Sequence, residues 1–176
     1  MGDFKARVDP SAAPAPAGPP DRFPELVETA ELLLDELSKR YVADRREAKE
    51  PLGPGEGAEL ARTVLVMPRT PAAGPLALAF PDSSGVVLRL GRWFVQTFPG
   101  AEDDAAELRK LVIAHVEGGL WERVRRRLGE SWLETRLIGP GLTITHQAPV
   151  DPAEARAARR EGFAAPVQWA PWPRRA

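Results

Sequence analysis

From Phe23 onward the apolar residues Phe23, Leu26, Val27, Ala30, Leu33, Leu34, Leu37 and Tyr41 recur at spacings of three and four. That rhythm places one apolar stripe on a long helix, and Pro24 suits its first turn, where no amide donor is required. The helix is predicted to run up to the breakers Pro51-Leu52-Gly53-Pro54-Gly55. Its polar face is acidic, with eleven acids against six bases between Asp21 and Glu59. Such a run usually marks a solvated helix face.

Shorter runs of β-formers follow at 63–67, 76–80 and 86–98, separated by proline-rich and turn-rich stretches. The last is long for one strand, and Gly91-Arg92 in its middle marks either a bulge or a hairpin turn. Glu102, Asp103 and Asp104 then put negative charge where a helix N-terminus favours it, and Leu108, Leu111, Val112, His115 and Val116 continue at helical spacing. Gly118-Gly119 breaks that pattern. Leu120, Trp121, Val124 and Leu128 resume it, so this region is predicted as a kinked helix or two short ones.

Residues 132–138 and 142–147 flank Gly139-Pro140-Gly141 and read as a β-hairpin. Asp151-Pro152-Ala153-Glu154 supplies an N-cap, a proline at the first helical position and an early acid, opening a short helix that ends at Gly162. The tail 163–176 is predicted to be extended and packed at its tryptophans. The fold class is α+β: an antiparallel sheet of about five or six strands with helices on one face. Residues 1–20, rich in Pro and Ala, are predicted to be a disordered leader before a single domain over 21–176.

The composition, 43% hydrophobic and 28% charged over 176 residues, is that of one globular domain. There is no cysteine, which excludes disulfides, thiolate metal sites and thiol nucleophiles. A formal net charge of -1 argues against non-specific nucleic-acid binding. No apolar run is long enough for a membrane span and no secretory signal is legible, so a cytoplasmic location without membrane attachment is expected. Of the 24 basic residues 20 are arginine, a bias of coding rather than of chemistry.

Chemistry is sparse. His115 and His146 are the two histidines, too few for a histidine metal site, and each sits at a spacing that suits packing better than catalysis. A pairing of either with Asp103, Asp104 or Glu117 is the arrangement an enzyme would need. No serine elbow or phosphate loop is present. Gly53, Gly55 and Gly57 follow a helix rather than a strand, and Ser83-Ser84-Gly85 is ordinary turn chemistry.

The basic cluster Arg123, Arg125, Arg126 and Arg127 reads either as a helix C-terminus complementing the dipole or as a patch for an anion or acidic partner, including the acidic first helix. Trp169 and Trp172 read as tail anchors or, alternatively, as a docking peptide.

Gly91-Arg92-Trp93-Phe94 through Phe98-Pro99, the acidic helix start, the Gly118-Gly119 step and the Trp-Ala-Pro-Trp-Pro-Arg-Arg ending resemble an uncharacterised actinobacterial family. Its typical members carry Phe-Pro-x-Cys-Gly-Cys-Asp-Ala-Cys-Asp-Glu after a strand. Phe98, Pro99, Asp104 and Ala105 match this pattern, while Ala101, Asp103 and Ala106 stand at the cysteine positions. The resemblance therefore implies one domain over about 22–176, and carries over no thiolate site and no functional residue within 98–107.

No cofactor is implied. The reading that results is a non-catalytic protein-interaction or ligand-binding domain, its partner being a protein or a small ligand. A small enzyme using His115 or His146 with nearby carboxylates is the alternative, and an RNA-contacting protein using the 123–127 arginines a third.

Overall fold

A computed structural model describes residues 23–51, 60–81, 85–127 and 129–176, with the Arg127 side chain also outside the description. The expected leader, the breaker loop 52–59 and the serines of 82–84 lie outside the described residues. The chain forms α1 (Phe23–Arg40), then five strands: β1 (Ala43–Pro51), β2 (Leu60–Pro68), β3 (Leu76–Phe80), β4 (Val86–Leu90) and β5 (Phe94–Phe98). Next come α2 (Asp104–Val116), β6 (Leu120–Arg127), β7 (Glu130–Gly139) and β8 (Leu142–Pro149). The chain ends with α3 (Pro152–Ala158), a single π-type turn over Arg159–Phe163, and β9 (Val167–Gln168).

The α+β class holds, but the strands divide into two antiparallel sheets, β1-β2-β3-β4-β5 and β8-β7-β6-β9. The first is a meander whose inner face carries Val64, Val66, Leu76, Leu78, Val86, Leu88, Leu90, Phe94 and Phe98, all buried. Against it pack the predicted stripe of α1 (Leu26, Ala30, Leu33, Leu34, Leu37) and Leu108, Leu111 and Val112 of α2. Helix α2 also touches β7 of the second sheet, where Leu120 and Leu137 join the same core. A smaller cluster of Val124, Ala155, Ala158 and Phe163 seats α3 on that sheet.

Two helical expectations are corrected. The first helix stops at Arg40, and Ala43–Pro51 is an exposed edge strand. Pairing along β2 overrides the helix-forming composition of this segment, and its charges are those of a protected sheet edge. The segment after Gly118-Gly119 is strand β6 rather than helix. A spacing of four, as between Leu120 and Val124, fits the two-residue period of a strand as well as that of a helix.

The glycine pair forces the change at β6. Gly118 has φ +84, and a Cβ on Gly119 would sit 1.9 Å from the Ile138 carbonyl oxygen. Residues 86–98 resolve as a hairpin, β4 paired with β5 across Gly91–Trp93. The β7–β8 hairpin forms as predicted, and Asp151 caps α3 by accepting from the Ala153 and Glu154 amides.

Because the Ile138 carbonyl belongs to a paired strand and cannot yield, Gly119→Ala is expected to destabilise the fold by about 3 kcal/mol, the upper range for overpacking. Urea unfolding checks this, and a loss below about 1 kcal/mol would mean that the α2–β6 junction is not close-packed.

Candidate functional site

The face of the five-stranded sheet turned away from α1 and α2 carries a groove of about 470 Å³. Its centre is one cross-strand row, Arg46–Leu65–Ala77–Arg89–Val95, aligned by the register of all five strands. The next row contributes Ala48 and Thr63 to the lining. Short alanines and a threonine between taller neighbours make the hollow. Arg46 and Arg89 stand three strands apart, about 14 Å by strand spacing, and neither has a hydrogen bond or ion pair among the described residues. Of the acids in the lining, Glu47 pairs with Arg62 at 3.3 Å, while Glu50 lies at the far end of β1.

At its other end the groove is closed by the Gly91–Trp93 turn, and that turn is held from beneath by Glu122 of β6, which is fully buried. The Arg92 amide donates to its Oε2 at 3.0 Å, the Trp93 amide to Oε1 at 2.8 Å, and the Trp169 indole to Oε2 at 2.8 Å. Gly91, at φ +59, comes so close that a Cβ there would lie 2.7 Å from the Trp169 Nε1 and 2.8 Å from Glu122 Oε2. Burial pushes the Glu122 carboxyl up, opposed by hydrogen bonds from Arg92, Trp169, Trp93 and Phe94. Trp93 extends the junction, donating to Glu154 at 2.8 Å and meeting Phe163 edge-on at 4.8 Å. Arg92 lies over both rings and pairs with Glu161.

The histidines are not assembled into an acid–base pair. His115 is fully buried, and its Nε2 faces the carbonyls of Gly74 at 3.0 Å and Pro75 at 3.1 Å, so Nε2 carries the proton. Its Nδ1 has no hydrogen-bond partner among the described residues. Burial lowers its pKa to about 4, against the backbone hydrogen bonds. His146 is exposed and stacked on Phe94 at 5.1 Å. Neither histidine has a carboxylate among its hydrogen-bond partners.

Because β6 is a strand, the arginine cluster splits between two faces. Arg123 and Arg125 lie with Trp121 on the outer face. Arg123 pairs with Glu134 at 2.6 Å, and Arg125 approaches the same carboxylate at 3.8 Å. Arg126 points to the opposite side. The acidic face of α1 instead takes Arg45 and Arg62 from the adjoining strands and Arg109 from α2.

The tail tryptophans are internal anchors. Trp172 is 3% exposed and donates to the Gly74 carbonyl at 3.0 Å, while Trp169 binds Glu122. Arg46 and Arg89 were missed by sequence reasoning, since a lone arginine in a strand carries no signal until the register aligns it. In the region resembling the cysteine motif, Asp104 accepts from the Gly100 and Ala101 amides at 2.7 and 2.8 Å. Among the described residues no cluster of His, Asp and Glu could hold a metal ion.

Two stability effects follow from these burials. The unfolded chain protonates His115 near 6.5 and the folded chain only near 4. The unfolded state thus binds more protons between those values, and stability falls as pH drops through them. That share amounts to about 3 kcal/mol, and His115→Gln is expected to flatten the pH 6.5–4 slope in urea titrations. An unchanged slope would contradict the assignment.

Glu122→Ala strands the Arg92, Trp93 and Trp169 donors and is expected to cost at least about 3 kcal/mol, with Glu122→Gln costing less. Because the Glu122 carboxyl is raised, its share of stability is greatest below the ordinary value of 4.5 and is lost as pH rises through the folded value.

Comparison with known proteins adds a family and no activity. No curated protein and no solved structure matches the chain. A match that runs over residues 17–176, taking in both sheets, the groove and the Glu122 junction, shows that the chain belongs to DUF6226, a family of unknown function.

Proposed function

We propose that the chain is a non-catalytic binding domain whose ligand surface is the open face of the five-stranded sheet, and that its ligand is a small amphipathic anion. The observation that carries this reading is the row Arg46–Leu65–Ala77–Arg89–Val95: apolar positions interleaved with two guanidinium groups that have no hydrogen bond or ion pair among the described residues. A cavity of about 470 Å³ is of the size that small-molecule sites have, about 300–1,000 Å³. Unpaired guanidinium groups at an apolar wall suit a carboxylate or phosphate head on an apolar body, because charge-assisted bonds fix the head while the body covers Leu65 and Val95. The enzyme alternative draws no comparable support, since neither histidine has a carboxylate as a hydrogen-bond partner among the described residues. A partner strand added to β1 is disfavoured by the charged residues along that edge.

Titration with octanoate, followed by amide chemical shifts, is expected to move Leu65, Ala77, Arg89 and Val95, with octylammonium of equal length producing no such set. Arg46→Ala with Arg89→Ala should weaken octanoate binding by about tenfold or more, the loss of roughly one charge-assisted bond. Equal responses to the two head groups, or shifts confined to other parts of the chain, would overturn the reading.

A further inference from the structure

The two sheets end in four edge strands, and these differ in how they are protected. On β1 six of the nine residues are charged (Asp44, Arg45, Arg46, Glu47, Lys49 and Glu50), the usual defence against pairing with another chain. β9 has only two residues, and β5 has five, with the Phe94 amide at its start taken by Glu122. β8 has eight residues, none of them Asp, Glu, Lys or Arg, and no strand lies on its outer side. Its pairing with β7 runs through all eight positions without a bulge. It is the one long edge without a protecting device.

The groups that this edge offers follow from its phase against β7. Gly139 and Leu142 face one another across the two-residue turn Pro140–Gly141, and in such a hairpin the flanking pair exchanges main-chain bonds while the next pair does not. Two observed bonds fix the same phase. The Val150 amide donates to the Ser131 carbonyl at 3.0 Å, and the Ile138 amide, opposite Thr143, turns away from β8 to the Gly119 carbonyl at 3.0 Å. The amides and carbonyls of Thr143, Thr145 and Gln147 therefore point away from β7. All three residues are exposed, and no hydrogen bond takes up those groups among the described residues.

We propose that β8 is the surface through which two copies of this chain associate, the strands pairing antiparallel about a two-fold axis at Thr145 and joining the two four-stranded sheets into one. In that register Thr145 faces Thr145 and Thr143 faces Gln147 at the bonded positions, with Ile144 beside His146 between them. Every outward amide and carbonyl of the three residues gains a partner. Near a two-fold axis a residue meets its own copy or a close neighbour's, so a charged strand risks like charges in opposition. β8 carries none, and threonine against threonine is a favourable cross-strand pair. On the inner face Ile144 of one copy adds to the His146 ring of the other, which is already stacked on Phe94 at 5.1 Å. None of the residues lining the groove of the five-stranded sheet belongs to β8, so the contact stands apart from the ligand reading.

The test is sedimentation velocity of the full chain over a concentration series, which is expected to show a reversible monomer–dimer equilibrium. Thr145→Pro removes only an outward donor, a substitution that an edge strand accepts, and should weaken dimerisation at least tenfold. Thr145→Lys sets two ammonium groups on the axis and should weaken it as well, less so at high salt. Circular dichroism identifies any loss due to unfolding. Because the chain has no cysteine, Thr145→Cys supplies a single thiol on the axis, where a bonded pair holds its Cα atoms about 5.5 Å apart, within disulfide range. Oxidation should give a covalent dimer. Thr143→Cys, whose copies would lie about 14 Å apart by strand rise and spacing, should not. A dimer that both Thr145→Pro and Thr145→Lys leave intact, or equal cross-linking at 143 and 145, would overturn the proposal. A chain monomeric at every concentration would overturn it too, and leave the edge to a foreign strand.

Discussion

The architecture depends on one buried carboxylate. Glu122 lies on the inner face of the second sheet, yet its oxygens are occupied by the hairpin turn of the first sheet and by the indole of the C-terminal tail. A carboxylate in a water-free site is tolerated only when donors replace its hydration, so the turn and the tail must come to it for the fold to close. Without those donors the burial that pushes its carboxyl up would have no counterweight. Three chain segments distant in sequence are thereby fixed relative to one another at a single point.

Fixing the Gly91–Trp93 turn also fixes the geometry of the sheet it terminates. The turn lines the end of the groove, and β4 and β5 on either side of it carry Arg89 and Val95. Trp93 and Arg92 at the same time reach across to Glu154, Phe163 and Glu161. A neighbouring junction joins His115, the 72–75 loop and the tail through Trp172, whose amide bonds to Val116 and whose indole shares the Gly74 carbonyl with His115. The tail is therefore a strap across both sheets, with Val167–Gln168 pairing to β6 just before its two tryptophan anchors.

Much of the fold is legible in the sequence where one period dominates. The stripe of α1, the hairpin around Gly139-Pro140-Gly141 and the Asp151 cap each follow from local spacing or local chemistry. Leu120 and Val124 do not, because a repeat of four satisfies both periods, and only the approach of Gly119 to the Ile138 carbonyl decides for a strand. Ala43–Pro51 has no apolar face at all, so its pairing with β2 is a tertiary outcome.

The site was less legible. Arg46 and Arg89 lie 43 positions apart and gain meaning only from the shared register, and the polar group that organises the core, Glu122, is surrounded in sequence by arginines that suggest an exposed helix.

The central claim, that Glu122 locks the turn and the tail into one unit, is tested most directly by native-state hydrogen exchange at the Arg92 and Trp93 amides. Both should exchange only through global unfolding, with the same opening free energy as the core strands β3 and β4. Exchange of these two amides at the rate of an exposed hairpin turn, while β3 and β4 stay protected, would contradict it.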